Sequence, residues 1–197
     1  MSNHLLSRRS VIASGAAFAM ASLMPLGAFA FSTAQAETLI GKTVSEINGI
    51  INSGKSESQM YVDFEKVLTR YADTASIARS VLGPTARTVS SGQLNAFTKA
   101  FQTYVARKYG SRFREFIGGE IRVNRTQKVN SIYDVQCTAI LKGEAPFAIS
   151  FIVHDASGKF IDLQIEGISL LKSERAEIGA LLDRAGGSID KLTATLV

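Results

Sequence analysis

Cys137 is the only cysteine of this 197-residue chain, and His154 is the only histidine after His4, so thiol or imidazole chemistry in the body of the chain must run through these two. A lone thiol forms no internal disulfide. Cys137 also sits in the alternating stretch Tyr133-Asp134-Val135-Gln136-Cys137-Thr138-Ala139, where a thiol packs as a small hydrophobe and is a poor nucleophile. One cysteine and one histidine do not make a zinc, copper, haem or iron–sulfur ligand set. A Ser-His-Asp triad would need His154, yet the chain has no Gly-x-Ser-x-Gly elbow. Gly118-Gly119 and Gly186-Gly187 lack the spacing and the lysine of a phosphate loop and read as turns or helix ends. The groups left for acid–base work are Asp134, His154, Asp155 and Asp162, which belong to predicted strands or the turn between them.

The elements that must position these residues follow an export leader. Arg8-Arg9 precedes an apolar run from Val11 to Phe31 that closes on Ala34-Gln35-Ala36, a small-x-small cleavage pattern. Residues 1–36 therefore read as a cleaved leader of suspected twin-arginine type, and 37–197 as one domain exported to the periplasm. The net charge is +5, of which Arg8 and Arg9 supply two. So mild a basic excess, on an exported chain, argues against a nucleic-acid partner.

The first half of the domain has helical periodicity. Val44, Ile47, Ile50 and Ile51 form one stripe from Thr43 to Ile51; Met60, Phe64, Val67, Leu68 and Tyr71 form another from Ser56 to Tyr71. A short helix follows an Asp73 or Thr74 cap and stops at Leu82-Gly83-Pro84. Residues 84–92 read as a linker. The longest helix starts near Ser91 and continues past Tyr109. The period then changes to two, predicting strands at Ile121–Val123, Tyr133–Leu141, Phe147–Val153 and Phe160–Ile165, joined by short turns as an antiparallel meander. Helices over Ser173–Asp183 and from Ser188 towards Leu196 close the chain. The expected class is α+β: a helical N-terminal half packed on a curved four-stranded antiparallel sheet with C-terminal helices. The strands' apolar face is ordinarily the face of a packed core, and periodicity does not distinguish that from the wall of an open pocket.

Three segments resemble the MlaC family of periplasmic phospholipid-shuttle proteins, also called toluene-tolerance auxiliary proteins. Met60-Tyr61-Val62-Asp63-Phe64 with the later Leu82-Gly83 stop is similar to the family's early helices. Gln93 to Tyr104, with Phe97 and Phe101, resembles its long helix. Most specific is Phe160-Ile161-Asp162-Leu163-Gln164-Ile165-Glu166-Gly167-Ile168-Ser169-Leu170 followed by Arg175, which resembles the family's last strand and the turn into its next helix. The resemblance covers nearly all of Thr38 to Leu196. Two features depart from it: Lys159-Phe160 replaces a usual tryptophan, and Pro84-Thr85-Ala86-Arg87 replaces a usual Tyr-Trp.

The resemblance implies a carrier that is not an enzyme, needs no cofactor or metal, and holds a phospholipid as cargo with its tails in an apolar pocket. Implied tail-facing residues are Tyr104, Val105, Tyr109, Phe113, Tyr133, Val135, Ile149, Phe151, Leu163 and Ile165. For the headgroup phosphate a rim arginine is expected, Arg175 first and then Arg112, Arg114 and Arg122, with a structural ion pair from Arg175 to Glu166 as the alternative. The implied partners are an inner-membrane ABC transporter complex with its substrate-binding ring and an outer-membrane lipoprotein–porin complex, met by a monomer. Lys99, Arg107 and Lys108 are candidates for charge-guided docking. Rival readings are a cone-shaped α+β enzyme using the Asp and His residues above, and a periplasmic chaperone or adaptor.

Overall fold

Caps set the helix boundaries as firmly as periodicity does. The computed structural model describes residues 31–197, apart from the side chains of Phe113 and Arg114. Helix α1 runs Thr33–Ile51, α2 Glu57–Tyr71, α3 Thr74–Leu82 and α4 Ser91–Gly110. Ser32 and Ser90 each start a helix with a reciprocal box in which a glutamine three residues on bonds back to the serine backbone. Asp73 caps α3 by accepting from the Ser76 amide at 3.1 Å. Part of the expected linker is ordered as a 3-10 turn, Gly83–Arg87, entered through Gly83 at φ +59°.

The main departure is α1, which begins ten residues before the expected Thr43. Its added turns bury Ala36 and Ile40 completely, in step with Val44 and Ile47 further along. Small and polar neighbours diluted that stripe in the sequence. Ala34-Gln35-Ala36, the expected cleavage pattern, lies in the first turn of this helix, and residues 1–30 of the leader fall outside the described residues.

Five strands, β1 Glu120–Val129, β2 Ile132–Ile140, β3 Phe147–His154, β4 Lys159–Ile165 and β5 Ile168–Ser169, form one antiparallel meander in sequence order. The two-residue β5 is one strand more than expected, and β1 is longer than its apolar start indicated. Helices α5 Leu170–Arg184 and α6 Ile189–Thr195 complete the α+β fold. Helix α5 starts three residues before the expected Ser173. Its first turn is held by Asp162, which accepts from the Leu171 amide at 2.9 Å, and by Ser169, which accepts from the Lys172 amide at 3.1 Å.

The interior divides into two apolar cores. One joins the inner face of the sheet to α1 and α2; the other joins α3, α4, α5 and α6 around Phe97, Phe101, Ile178 and Leu192. At the C-terminal end of α4, Gly110 lies so close to the Tyr61 ring that a Cβ would stand 2.6 Å from Cδ1. No helix among the described residues is long and apolar enough to cross a membrane.

Candidate functional site

Where the two cores meet they leave a cavity of about 460 Å³. Alternation along antiparallel strands places every second residue on one face, and the register does the rest. Ile149 pairs with Ile165 and Phe151 with Leu163, so these four side chains form a continuous apolar floor under the cavity. A bulge in β4 leaves Ile161 without an opposite residue and brings both Phe160 and Ile161 to the wall. Opposite stand Ile47 and Ile51 of α1, Phe64, Val67 and Leu68 of α2, Phe101, Val105 and Tyr109 of α4, and Leu170 and Leu171 of α5. Arg112, Glu115, Glu144 and Glu166 are exposed lining residues, which marks their side as the opening to solvent. An apolar cleft of this volume with a few polar groups is the usual form of a small-molecule or lipid site.

Of the tail-facing residues expected from the sequence, Val105, Tyr109, Ile149, Phe151, Leu163 and Ile165 line this cavity. Tyr133 and Val135 do not. They lie one strand further along the sheet, where the unforeseen start of α1 covers them: the Tyr133 hydroxyl donates to the Phe31 carbonyl, and its ring meets Phe31 edge-on at 5.5 Å. Tyr104 does not line it either, because it turns into the helical core to stack on Phe101 at 6.0 Å. The side chain of Phe113 lies outside the described residues. Phe64, Val67 and Leu68 belong to an apolar helix stripe in the sequence, and nothing there assigns them to a cavity. Their periodicity is identical for core and for wall.

The arginine rim is corrected in a similar way. Arg175 packs at the α3 corner, its Nη2 3.1 Å from where a Gly83 Cβ would stand, and it is neither at the cavity nor in a described ion pair with Glu166. It is on the wrong face of α5, one position from Glu174, which does line the cavity. Arg122 points away on edge strand β1 and pairs with Glu120. Arg112 does reach the opening, where it pairs with Glu115 at 3.2 Å. The Arg114 side chain is outside the described residues. Among the described side chains, the charged lining groups are five carboxylates, Glu115, Glu144, Asp162, Glu166 and Glu174, and one guanidinium, Arg112.

Glu174 is the group that sequence reasoning missed. Its carboxylate is buried, and its Oε1 accepts from Lys108 Nζ at 2.7 Å and from the Tyr109 hydroxyl at 2.5 Å. Burial, followed by that hydrogen bond to the carboxylate, holds the Tyr109 phenol well above its ordinary value. Burial alone would lower Lys108, but its bonds to Glu174 and Tyr104 outweigh this and raise it. Lys99 and Arg107 are exposed on α4, whereas Lys108 is drawn over to Glu174.

The acid–base candidates are not assembled into a site. Asp134 accepts from Gln136 Nε2 at 3.0 Å, and Asp155 lies 4.0 Å from Lys128 at a strand end; neither they nor His154 lines the cavity. Asp162 does line it, with one oxygen on the Leu171 amide and the other accepting from the Ser169 hydroxyl at 2.6 Å. It is a helix-start clamp. Cys137 is buried, its thiol pushed up to about 12 by burial and then by the charge of Asp134.

Comparison with known proteins agrees with this architecture. The family model described as MlaC protein matches residues 41–197. A solved structure of a phospholipid-binding protein from Ralstonia solanacearum in complex with a phospholipid superposes with a TM-score of 0.70 at 15% identity, covering 82% of this chain and 94% of that one. At that identity the likeness establishes the fold. No curated protein matches the chain.

Proposed function

The chain belongs to the MlaC family, and from that membership we propose that it is a periplasmic phospholipid carrier, released from its leader, that takes acyl tails into the cavity between its two cores. In this reading the protein moves as a monomer between an inner-membrane ABC transporter complex with its substrate-binding ring and an outer-membrane lipoprotein–porin complex, and so maintains the lipid asymmetry of the outer membrane.

The observation that carries the reading is the cavity itself: about 460 Å³ walled by Ile, Leu, Val and Phe from both the helices and the sheet, where a domain of this size would ordinarily pack solid. Two acyl chains of about sixteen carbons represent on the order of 25 kcal/mol of transfer free energy at roughly 0.8 kcal/mol per methylene. A carrier must offset most of that with apolar contact along the tails, which is what a floor of Ile149, Phe151, Leu163 and Ile165 under a roof of helix residues provides. The phospholipid in the Ralstonia neighbour supports the same use of the fold. Binding equilibrates lipid between two membranes, so net direction must come from a partner that spends free energy.

Organic extraction of the purified protein followed by mass spectrometry tests the proposal. About one phospholipid per chain is expected. Protein that is empty when isolated, and still empty after mixing with phospholipid vesicles, would end it.

A further inference from the structure

The small-x-small pattern at the end of the apolar run occurs twice, as Ala28-Phe29-Ala30 and again as Ala34-Gln35-Ala36. A leader peptidase seats the first and third side chains of such a pattern in small pockets and takes the backbone in extended form. The folded protein does not offer the second copy in that way. Ala34, Gln35 and Ala36 belong to the first turn of α1, the Ala36 amide donates to the Ser32 carbonyl at 3.0 Å, and Ala36 is fully buried in the core that joins α1 to the sheet. The next residue, Glu37, continues the helix. We propose that the leader is removed between Ala30 and Phe31, so that the mature chain begins at Phe31 and keeps the whole of α1.

Phe31 and Ser32 are built into the fold as a helix start. The Tyr133 hydroxyl donates to the Phe31 carbonyl, the two rings meet edge-on at 5.5 Å, and Gly158 lies so close that a Cβ there would stand 3.1 Å from the Phe31 ring. Ser32 closes the reciprocal box with Gln35, its amide donating to Oε1 at 2.8 Å and its hydroxyl accepting from the Gln35 amide at 3.2 Å. Cutting after Ala36 discards all of these contacts; cutting after Ala30 discards none. The backbone at Ser32 is still extended, at φ −112° and ψ 163°, so the chain leaves the helix in the form a peptidase binds two residues beyond Ala30. Length agrees, since a leader ending at Ala30 falls within the usual range of about 15–30 residues and one ending at Ala36 exceeds it. The hydrolysis consumes one water: its hydroxyl joins the Ala30 carbonyl carbon, and the Phe31 nitrogen leaves as a free α-amine carrying the proton.

The inference rests on the leader in the carrier reading, not on the lipid, and one experiment separates their failures. The full chain with a carboxy-terminal tag is expressed in a bacterium with an outer membrane and purified from the periplasm, and its amino terminus is read by sequencing and intact mass. Wild type is expected to begin at Phe31. Ala30→Leu overfills the small pocket and should abolish the Phe31 start. Ala34→Leu, at an exposed position of α1, spoils only the second copy and should leave the Phe31 start and the yield unchanged. A wild-type start at Glu37 or at any other residue of the export-processed chain, a terminus moved by Ala34→Leu, or a Phe31 start that survives Ala30→Leu overturns the site and leaves the leader standing. Wild type that keeps its first thirty residues overturns the leader reading, and the site with it, while organic extraction of the same material reads the lipid separately.

Discussion

Asn48 holds Ile121 by both of its backbone groups: its Oδ1 accepts from the Ile121 amide at 3.2 Å, and its Nδ2 donates to the Ile121 carbonyl at 3.3 Å. Strand β1 is a sheet edge, so these groups would otherwise be left to solvent, and the side chain of α1 takes the place of a neighbouring strand. Asn48→Ala is expected to cost about 1–3 kcal/mol, since both partners lose a part-buried bond. At roughly 2–4 °C per kcal/mol for a domain of this size, thermal melts should show a loss of several degrees.

Bulk added to the cavity and bulk added to the core should act in opposite ways. Val105→Trp and Leu163→Trp place volume where none is packed, so lipid per protein should fall sharply while the melting temperature is kept. Val135→Trp is forced into a fully buried position beneath α1 and should destabilise by about 1–3 kcal/mol. Equal loss of stability in all three would mean that the floor of β3 and β4 is ordinary core.

Alkaline pH should weaken the α4–α5 contact. Tyr109 and Lys108 both have folded values raised above their unfolded ones. For such groups the stabilisation is complete below the unfolded value, about 10 for tyrosine, and is lost as pH rises through the folded value. Melts from about pH 8 to 11 should therefore steepen downward at the alkaline end, and Tyr109→Phe should flatten that limb.

The first turn of α1 makes a measurable contribution. Ser32 caps it, Phe31 meets the Tyr133 ring, and Ala36 is fully buried. A chain beginning at Phe31 should melt above one beginning at Glu37, by at least the roughly 1 kcal/mol of a lost cap. Identical melting temperatures would show that these residues add nothing to the fold.

Much of this was legible in the residues, for identifiable reasons. The Asp73 cap and the Gly83-Pro84 stop bound α3 correctly, and the switch to period two after Gly119 gave the meander, because both signals are local. Val105, Ile149 and Leu163 were placed on the cavity through family resemblance. What escaped is non-local. Tyr133 and Val135 have the same alternation as Ile149 and Phe151, and only the course of α1 decides which pair is covered. Arg175 and Glu174 are adjacent, and about 100° of helix rotation separates a corner contact from the cavity wall. No periodicity of one segment contains that phase, since it depends on how α5 is started by Asp162 and Ser169 from another element.

The division of the interior into two separate cores has a mechanical consequence. Each close-packed body resists deformation, and beside the cavity the two are joined by side chains, Ile77 packing against both cores and Tyr61 of α2 lying against Gly110 of α4. The width of the cavity is therefore fixed by these junctions, and a substitution at Ile77 or Gly110 would change it without touching the floor of β3 and β4.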